Sequence, residues 1–175
     1  NDIREGLAYV VRFRPARGIL LITTMASLFA YPFILLMPAI AREMLHTGAT
    51  GYGGLLSATG LGALLGGLTL AIAGRRVEQG WFLSTGAVVL PPALFLLAFS
   101  TSYAVSLAAL VVLGWGMVAQ NVTANAILQT STPEALRGRV MSLFTLVLMG
   151  LVPLGSLVSG TLAEHALLSS WQGAR

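Results

Sequence analysis

Long uncharged, apolar stretches alternate along the chain with short segments that carry all of the charged residues. The uncharged stretches cover residues 18–41, 44–74, 79–133 and 140–163. A helix needs about 20 apolar residues to cross the hydrocarbon core of a bilayer. The first, second and fourth stretches therefore hold one span each, and the third holds two, separated at residues 100–102. The pattern predicts an all-α, polytopic bundle of five transmembrane helices, at about 18–41, 52–73, 81–99, 103–127 and 140–163.

The composition agrees with a membrane protein and excludes several other classes. Only 9% of the 175 residues are charged and 56% are hydrophobic, whereas roughly 25% of the residues of a soluble domain are charged. The chain has no cysteine, which excludes a disulfide scaffold, a thiolate metal site and thiol catalysis. The arginines form no single stripe, so nucleic-acid binding is not indicated. We expect a protein of the lipid bilayer, with no cofactor, no metal site and no nucleic-acid partner.

The arginines predict the orientation. With five spans, eight arginines fall on the side of the N-terminal segment, and only Arg42 and Arg175 fall on the other side. Basic residues stay preferentially in the cytoplasm. We therefore expect a cytoplasmic N-terminus and an extracytoplasmic tail at 164–175. The use of Arg alone, without Lys or Cys, is typical of a bacterial inner (plasma) membrane protein.

Residues 1–17 have the pattern of a cytoplasmic amphipathic linker helix. Asp2 and Glu5 have the spacing of a capping box, in which Glu5 reaches back to the start of the helix. Apolar residues at positions 3, 7 and 10 form one stripe. We expect Pro15 to end this helix before the first span.

Glycine and proline are frequent inside the predicted spans. Gly62 and Gly66 form a GxxxG pattern, whose small residues let another helix backbone approach closely. Such a contact is compatible with static packing and with helices that slide past each other. Prolines inside spans tend to kink them. The residues that we predict to pack or kink helices are Gly62, Gly66, Gly67, Pro153, Gly155 and Gly160.

Four amides in the last third of the fourth span are its main polar feature. Asn121, Asn125 and Gln129 are spaced by four residues and so share one side of the helix, with Gln120 beside them. An unpaired amide in hydrocarbon costs several kcal/mol. These side chains must therefore meet other helices or a water-filled cavity, and both interhelical hydrogen bonding and substrate contact remain open. The predicted spans contain no Asp, Glu, Lys or Arg. If transport is coupled to protons, the carboxylate responsible is therefore expected outside this chain.

The run at 125–143, NAILQTSTPEALRGRVMSL, resembles the junction of the tenth and eleventh helices in major facilitator superfamily transporters. It is similar to the branch that contains the enterobactin exporter and macrolide-efflux proteins. Residues 4–38 resemble the central linker and seventh helix of the same branch. The resemblance implies that the five spans are helices seven to eleven of a twelve-helix fold. It also implies three partners: an N-terminal six-helix half, a last helix, and a small hydrophobic substrate of the drug or siderophore class, exported by alternating access.

Two shorter patterns add to this resemblance. Gly67 with residues 74–76 is similar to a conserved loop of the superfamily, although Ala71 stands where an aspartate is expected. Gly150, Pro153 and Gly155 resemble the glycine-proline pattern of an antiporter helix. In such a transporter we expect Asn121 and Asn125 to form the substrate cavity or the gate, with Gln120 and Gln129 behind them. The resemblance implies that the cytoplasmic gate loops are formed by Gly74, Arg75, Arg76, Arg137, Gly138 and Arg139.

Two other function classes compete with transport. One is a stand-alone five-span scaffold or assembly subunit that binds partner helices through its glycine-rich faces, at Gly62 and Gly66. The other is a membrane hydrolase using Ser159. Its possible base, His165, lies six residues further on and points to the opposite helix face. We therefore expect no enzymatic activity and no catalytic residue.

Overall fold

The computed structural model describes the backbone of residues 2–74 and 78–173, and the side chains of residues 5–74 and 78–161. Every regular element in these ranges is helical, and five helices are long and apolar enough to cross a membrane. The predicted all-α bundle of five spans is therefore confirmed. The α-helices are α1 (Asp2–Arg12), α2 (Arg14–Met25), α3 (Phe33–Ala39), α4 (Ala49–Ala73), α5 (Gln79–Phe99), α6 (Tyr103–Ser131) and α7 (Glu134–Gly173).

The first span, Arg14–Met44, joins α2 and α3 through a π-helical turn at Ala26–Ala30. In this turn the Tyr31 N–H donates to the carbonyl of Ala26, five residues back, at 2.9 Å. Pro32 follows directly and has no N–H, so it leaves the carbonyl of Leu28 without the bond that an α-helix would supply. A π turn and a proline thus break the regular helix at the same place.

The first span ends in a second π turn, Ile40–Met44. His46 then has a positive φ of 49°, the left-handed conformation that commonly terminates helices. The backbone N–H and the hydroxyl of Thr47 both donate to the carbonyl of Ala41, at 2.8 and 3.0 Å. These bonds satisfy a carbonyl at the helix end and turn the chain toward α4.

The helix ends differ from those expected from charge. Pro15 does not end the N-terminal helix but lies in the first turn of α2, and α1 stops at Arg12 before one extended residue, Phe13. The helical backbone of α7 continues to Gly173 through the segment expected to be a tail. Charged residues indicate where a chain leaves the lipid, whereas a helix continues into water as long as its hydrogen bonds are favourable.

α6 is the central helix, with α4 and α5 packed along it over much of their length. The first span packs on α7 instead. They cross at Gly155, where an added Cβ would lie 2.3 Å from the carbonyl oxygen of Leu28. Ser27 reinforces this crossing by donating to the carbonyl of Leu148, at 3.4 Å.

Because successive spans alternate in direction, α1, the end of α4 and the α6–α7 connection share one end of the bundle. We call this the α1 end. The Tyr9 hydroxyl of α1 donates to the carbonyl of Ser131, the last residue of α6, at 3.2 Å. This hydrogen bond ties α1 directly to the α6–α7 connection.

Candidate functional site

An apolar cavity of about 480 Å³ lies between the first span, α6 and α7. We call it the Asn121 cavity. Two polar side chains line it, those of Asn121 and Tyr31, and they lie next to each other. The remaining lining residues are Ile34, Leu35, Met117, Val118, Val122, Leu148 and Val152. The described part of the wall is thus apolar, carries one uncharged polar pair and has no ionisable acid or base other than the phenol.

Tyr31 is the residue of this site that sequence reasoning missed. It directly follows the π turn at Ala26–Ala30, which gives the preceding turn one residue more than an α-helix has and so sets the direction in which Tyr31 points. Its ring is 7% exposed. The available signal was a tyrosine, with its polar hydroxyl, immediately before Pro32 in a mostly apolar span.

A larger groove, of about 680 Å³, lies on the other side of the first span, facing α5. We call it the Gln120 groove. The residues around it are apolar except Gln120, which is 1% exposed. Its Nε2 lies 3.5 Å from the carbonyl oxygen of Ile22, and its Oε1 has no hydrogen-bond partner among the described residues. Gln120 and Asn121 are sequence neighbours, yet they reach different cavities, because one residue turns an α-helix by about 100°.

Asn125 and Gln129 line neither cavity. The Gln129 amide donates to Oδ1 of Asn125, one helical turn before it, and Gln129 is exposed. Both lie closer to the α1 end than Asn121 does. The four predicted amides therefore occupy three environments rather than one polar face.

The predicted gate loops lie at the α1 end. Gly74 is the C-cap of α4, with its N–H bonded to the carbonyl of Leu70 at 2.8 Å. Arg137 and Gly138 are exposed in the first turns of α7, and Arg139 forms an ion pair with Glu5. The remaining two predicted gate residues, Arg75 and Arg76, lie outside the described residues.

The glycines of α4 differ in what surrounds them. A Cβ on Gly62 would lie 2.0 Å from the carbonyl oxygen of Val111, and one on Gly66 would lie 2.9 Å from that of Trp115. Both glycines therefore face α6, which covers them inside the bundle. A helix of another protein could not pack against them, as the scaffold hypothesis requires. Gly67 has nothing within 4 Å of an added Cβ.

The predicted packing residues of α7 also differ. Gly155 meets the first span, as described above, whereas Gly160 has open space around an added Cβ. Pro153 lies inside α7. Close contacts that the sequence did not single out occur at Gly114, where a Cβ would lie 2.1 Å from the carbonyl oxygen of Thr59, and at Gly86, 2.8 Å from that of Gly116.

The described residues contain no cluster of His, Asp or Glu that could hold a metal ion. The Ser159 hydroxyl, considered above as a hydrolase nucleophile, donates to the carbonyl of Gly155 on its own helix at 2.9 Å. His165, the base considered with it, lies outside the described side chains. The Asn121 cavity, with its apolar wall and one polar pair, suits reversible binding of an apolar molecule that has one hydrogen-bonding group.

Comparisons with known proteins agree with this architecture. The chain is similar to the multidrug efflux pump Tap of Mycobacterium tuberculosis, with 29% identity over 167 residues, which are 95% of this chain and 39% of the relative. Tap of Mycolicibacterium fortuitum is 30% identical over 119 residues, 67% of this chain and 29% of the relative. The matched region thus spans about two fifths of the first relative and less than a third of the second, and no solved structure matches the chain. A family model described as transmembrane secretion effector matches residues 1–171, and the chain therefore belongs to this family of major facilitator superfamily transporters.

Proposed function

We propose that the chain is the C-terminal half, without its last helix, of an efflux pump that exports small hydrophobic molecules of the drug or siderophore class. Its matched relatives are multidrug efflux pumps more than twice as long as the matched region. The observation that carries the proposal is the Asn121 cavity, an apolar wall with one uncharged polar pair. Such a wall favours molecules that are themselves apolar and lightly hydrogen-bonded, because a charged molecule would lose its hydration without gaining an ion pair.

Transporters of this fold bind substrate near the bilayer midplane, between two halves that rock against each other. In the complete protein, the N-terminal six-helix half would close the Asn121 cavity from the side opposite α6. Asn125 and Gln129 would then contact substrate or gate closer to the α1 end, and Gln120 would support α6 from behind. The gate loops would be residues 74–76 and 137–139, which open and close that end.

The α1 end would face the cytoplasm of a bacterial cell, at the inner membrane. The excess of arginine on this side supports the orientation. Gly138 offers a direct test, because it is exposed and has open space for a larger side chain. A Gly138→Cys variant should react with a membrane-impermeant maleimide in inverted vesicles and not in intact cells. Equal or preferential labelling of intact cells would reverse the assignment.

The Gln120 groove supports the proposal of an absent last helix. α4 packs along α6, and α7 packs along the first span in the same relation. Each half of these transporters consists of two three-helix repeats. α5, the third helix of the first repeat, packs along α6, so the third helix of the second repeat would pack along the first span, where the groove lies.

A photoreactive phenylalanine analogue tests this position of the last helix. Phe29 lines the groove and is 70% exposed, so it offers a place for the probe. In the full-length protein it should crosslink to a segment that follows residue 175. Crosslinks to lipid alone would contradict the proposal.

The transport proposal is tested by alanine variants of the two asparagines in the full-length protein. Asn121→Ala should reduce efflux about fivefold to tenfold, the equivalent of one hydrogen bond of about 1 kcal/mol or slightly more. Asn125→Ala should reduce it less, because that side chain pairs with Gln129 on its own helix. Efflux is measured as drug accumulation in cells, normalised to the amount of inserted protein.

Thr130→Ala is the matched control, because Thr130 is exposed on α6 and, among the residues that the structure describes, its hydroxyl bonds to carbonyls of its own helix. This variant should transport normally. Normal efflux by both asparagine variants, with normal insertion, would remove the Asn121 cavity from the transport path.

A further inference from the structure

α1 contacts both sides of the α6–α7 connection. Glu5 forms an ion pair with Arg139 near the start of α7, and the Tyr9 hydroxyl bonds to the carbonyl of Ser131 at the end of α6. Between these contacts Gly6 has no side chain, so the backbone of α1 can lie close to α7. A Cβ on Gly6 would lie 3.1 Å from the Cβ of Arg139. α1 therefore lies directly against the connection rather than apart from it on the bilayer surface.

Beneath α1 lies an apolar cluster that α1 helps to cover. Val140 of α7 and Leu128 of α6 are each 0% exposed, and both pack in one cluster with Val10 of α1. Tyr9 and Phe13 pack against the same cluster, with their ring centroids 5.3 Å apart. Moving α1 away would bring water to Val140 and Leu128 while leaving the α4–α6 contact in place.

α1 is also joined to the span that carries the π turns. Only Phe13, with an extended backbone of φ −90° and ψ 102°, separates α1 from α2. A short non-helical joint lets α1 change its angle to α2 without the cost of breaking a helix. The ion pair is partly exposed on both sides, at 34% for Arg139 and 59% for Glu5, and exposed ion pairs contribute little net stability. The contact is therefore suited to being made and broken repeatedly.

We propose that α1 is a clasp: it holds the α6–α7 connection against the first span, and it must release for the α1 end of the bundle to open. The proposal extends the proposed transport function, in which this end opens once in every cycle. In the clasped state α1 holds the α6–α7 connection against the first span. In the released state this connection moves away from the first span, and Val140 and Leu128 become accessible to water.

Thiol labelling tests the release itself, without any substrate. The chain has no cysteine, so a single Val140→Cys in a cysteine-free full-length protein reports the water access of this cluster, because a thiol reacts with maleimide as the hydrated thiolate. Adding Glu5→Gln and Tyr9→Phe should speed labelling at least fivefold. Leu128→Cys is a second reporter for the case that Val140→Cys does not fold.

Two controls separate the clasp from general loosening. Leu110→Cys reports a site that is 0% exposed in the other apolar cluster, away from α1, and its labelling should not change. Arg12→Gln removes a charge from the same helix at an exposed position and should leave Val140→Cys labelling unchanged. An equal rise at Leu110→Cys, or no rise at both cluster reporters, would overturn the proposal.

A reversible lock tests what the clasp does in transport. The Gly6 and Arg139 Cβ positions are close enough for a disulfide after a shift of a few tenths of an ångström. The efflux that the reduced Gly6→Cys/Arg139→Cys protein shows should fall by at least 90% on oxidation and return on reduction, whereas the efflux of each single variant should not respond to oxidant. Full efflux by the oxidised, crosslinked protein would overturn the clasp. If the wild-type full-length protein shows no efflux, the proposed transport function is wrong. The labelling of Val140→Cys then still tests whether α1 acts as a clasp.

Discussion

The two sides of the bundle are built differently. On the side of α4, α5 and α6, glycines remove side chains from the helix contacts, and backbone lies against backbone at Gly62, Gly114 and Gly86. On the side of the first span and α7, one such contact occurs at Gly155, but two π turns interrupt the first span and a cavity lies on each of its faces. Lipid tails are as apolar as leucine, so helices in a membrane associate through close packing rather than through hydrophobic burial. We infer that the first side is a rigid support and that the second supplies the space for binding and movement.

The largest effect is expected where the backbones are closest. Gly62→Leu would force α4 away from α6, because even the Cβ would lie 2.0 Å from the Val111 carbonyl oxygen. We expect a loss of about 3 kcal/mol of stability or more, seen as a lower folded fraction in detergent by size-exclusion chromatography. Gly60→Leu on the same helix is the control, because nothing lies within 4 Å of its Cβ position. If both variants fold equally well, the rigid side does not depend on this contact.

A smaller effect is expected on the side of the first span. Gly155→Leu meets the Leu28 carbonyl and the ring of Pro32, but the neighbouring cavity gives α7 room to shift. We expect a loss of about 1–2 kcal/mol in unfolding experiments on the purified full-length protein. Gly160→Leu, in open space on the same helix, should unfold like the wild type. A loss as large as that of Gly62→Leu would remove the distinction between the two sides.

Tyr31→Phe tests whether the side of the first span serves substrate binding. The ring stays in place and only the hydroxyl that neighbours Asn121 is lost. We expect stability to change by less than about 1 kcal/mol and the KM for efflux to rise about threefold to tenfold, with the maximal rate little changed. A change in stability without a change in KM would assign the hydroxyl to packing instead of substrate binding.

The smallest effect is expected at Gln120. Its Oε1 has no described partner and its Nε2 lies at the outer limit of hydrogen-bonding distance from the Ile22 carbonyl oxygen. Gln120→Met keeps the volume and removes both polar atoms, so unfolding free energy should change by less than about 1 kcal/mol. A loss above about 2 kcal/mol would show that this amide has a strong partner in the full-length protein.

The sequence was sufficient for the fold because the spans follow from where charge is absent over the width of a bilayer. It was not sufficient for the helix ends, since α6 continues to Ser131 and α7 to Gly173, beyond the predicted spans and into polar sequence. The local spacing of Asp2 and Glu5 predicted a capping box. The Asp2 side chain lies outside the described residues, and the Glu5 carboxylate pairs with Arg139, 134 residues away in the chain. A rule that uses neighbours within one turn cannot find a partner that only the folded bundle brings close.

The amides show the same limit in the candidate site. Their spacing predicted one polar face, and α6 is the regular helix that this prediction assumed. Whether a given amide lines a cavity depends on which neighbouring helix it faces, and the first span faces α6 as it does because of its π turn. A π turn depends on tertiary contacts and has no regular residue pattern, so Tyr31 could not be placed beside Asn121 from the sequence.

The π turn at Ala26–Ala30 also affects how the sequences of relatives must be aligned across the first span. A π turn holds one residue more than the α-helical turn that it replaces, so it is the structural form of a one-residue insertion. A relative without that residue would have a regular α-helical turn here, and its later side chains would point in the same directions as in this chain. Each equivalent residue would come one position earlier in its sequence, and one position corresponds to about 100° around a helix. An ungapped alignment across this span would then pair residues that face the cavity with residues that face lipid. For this span, a comparison of cavity-lining residues between relatives has to begin by counting the residues before the proline.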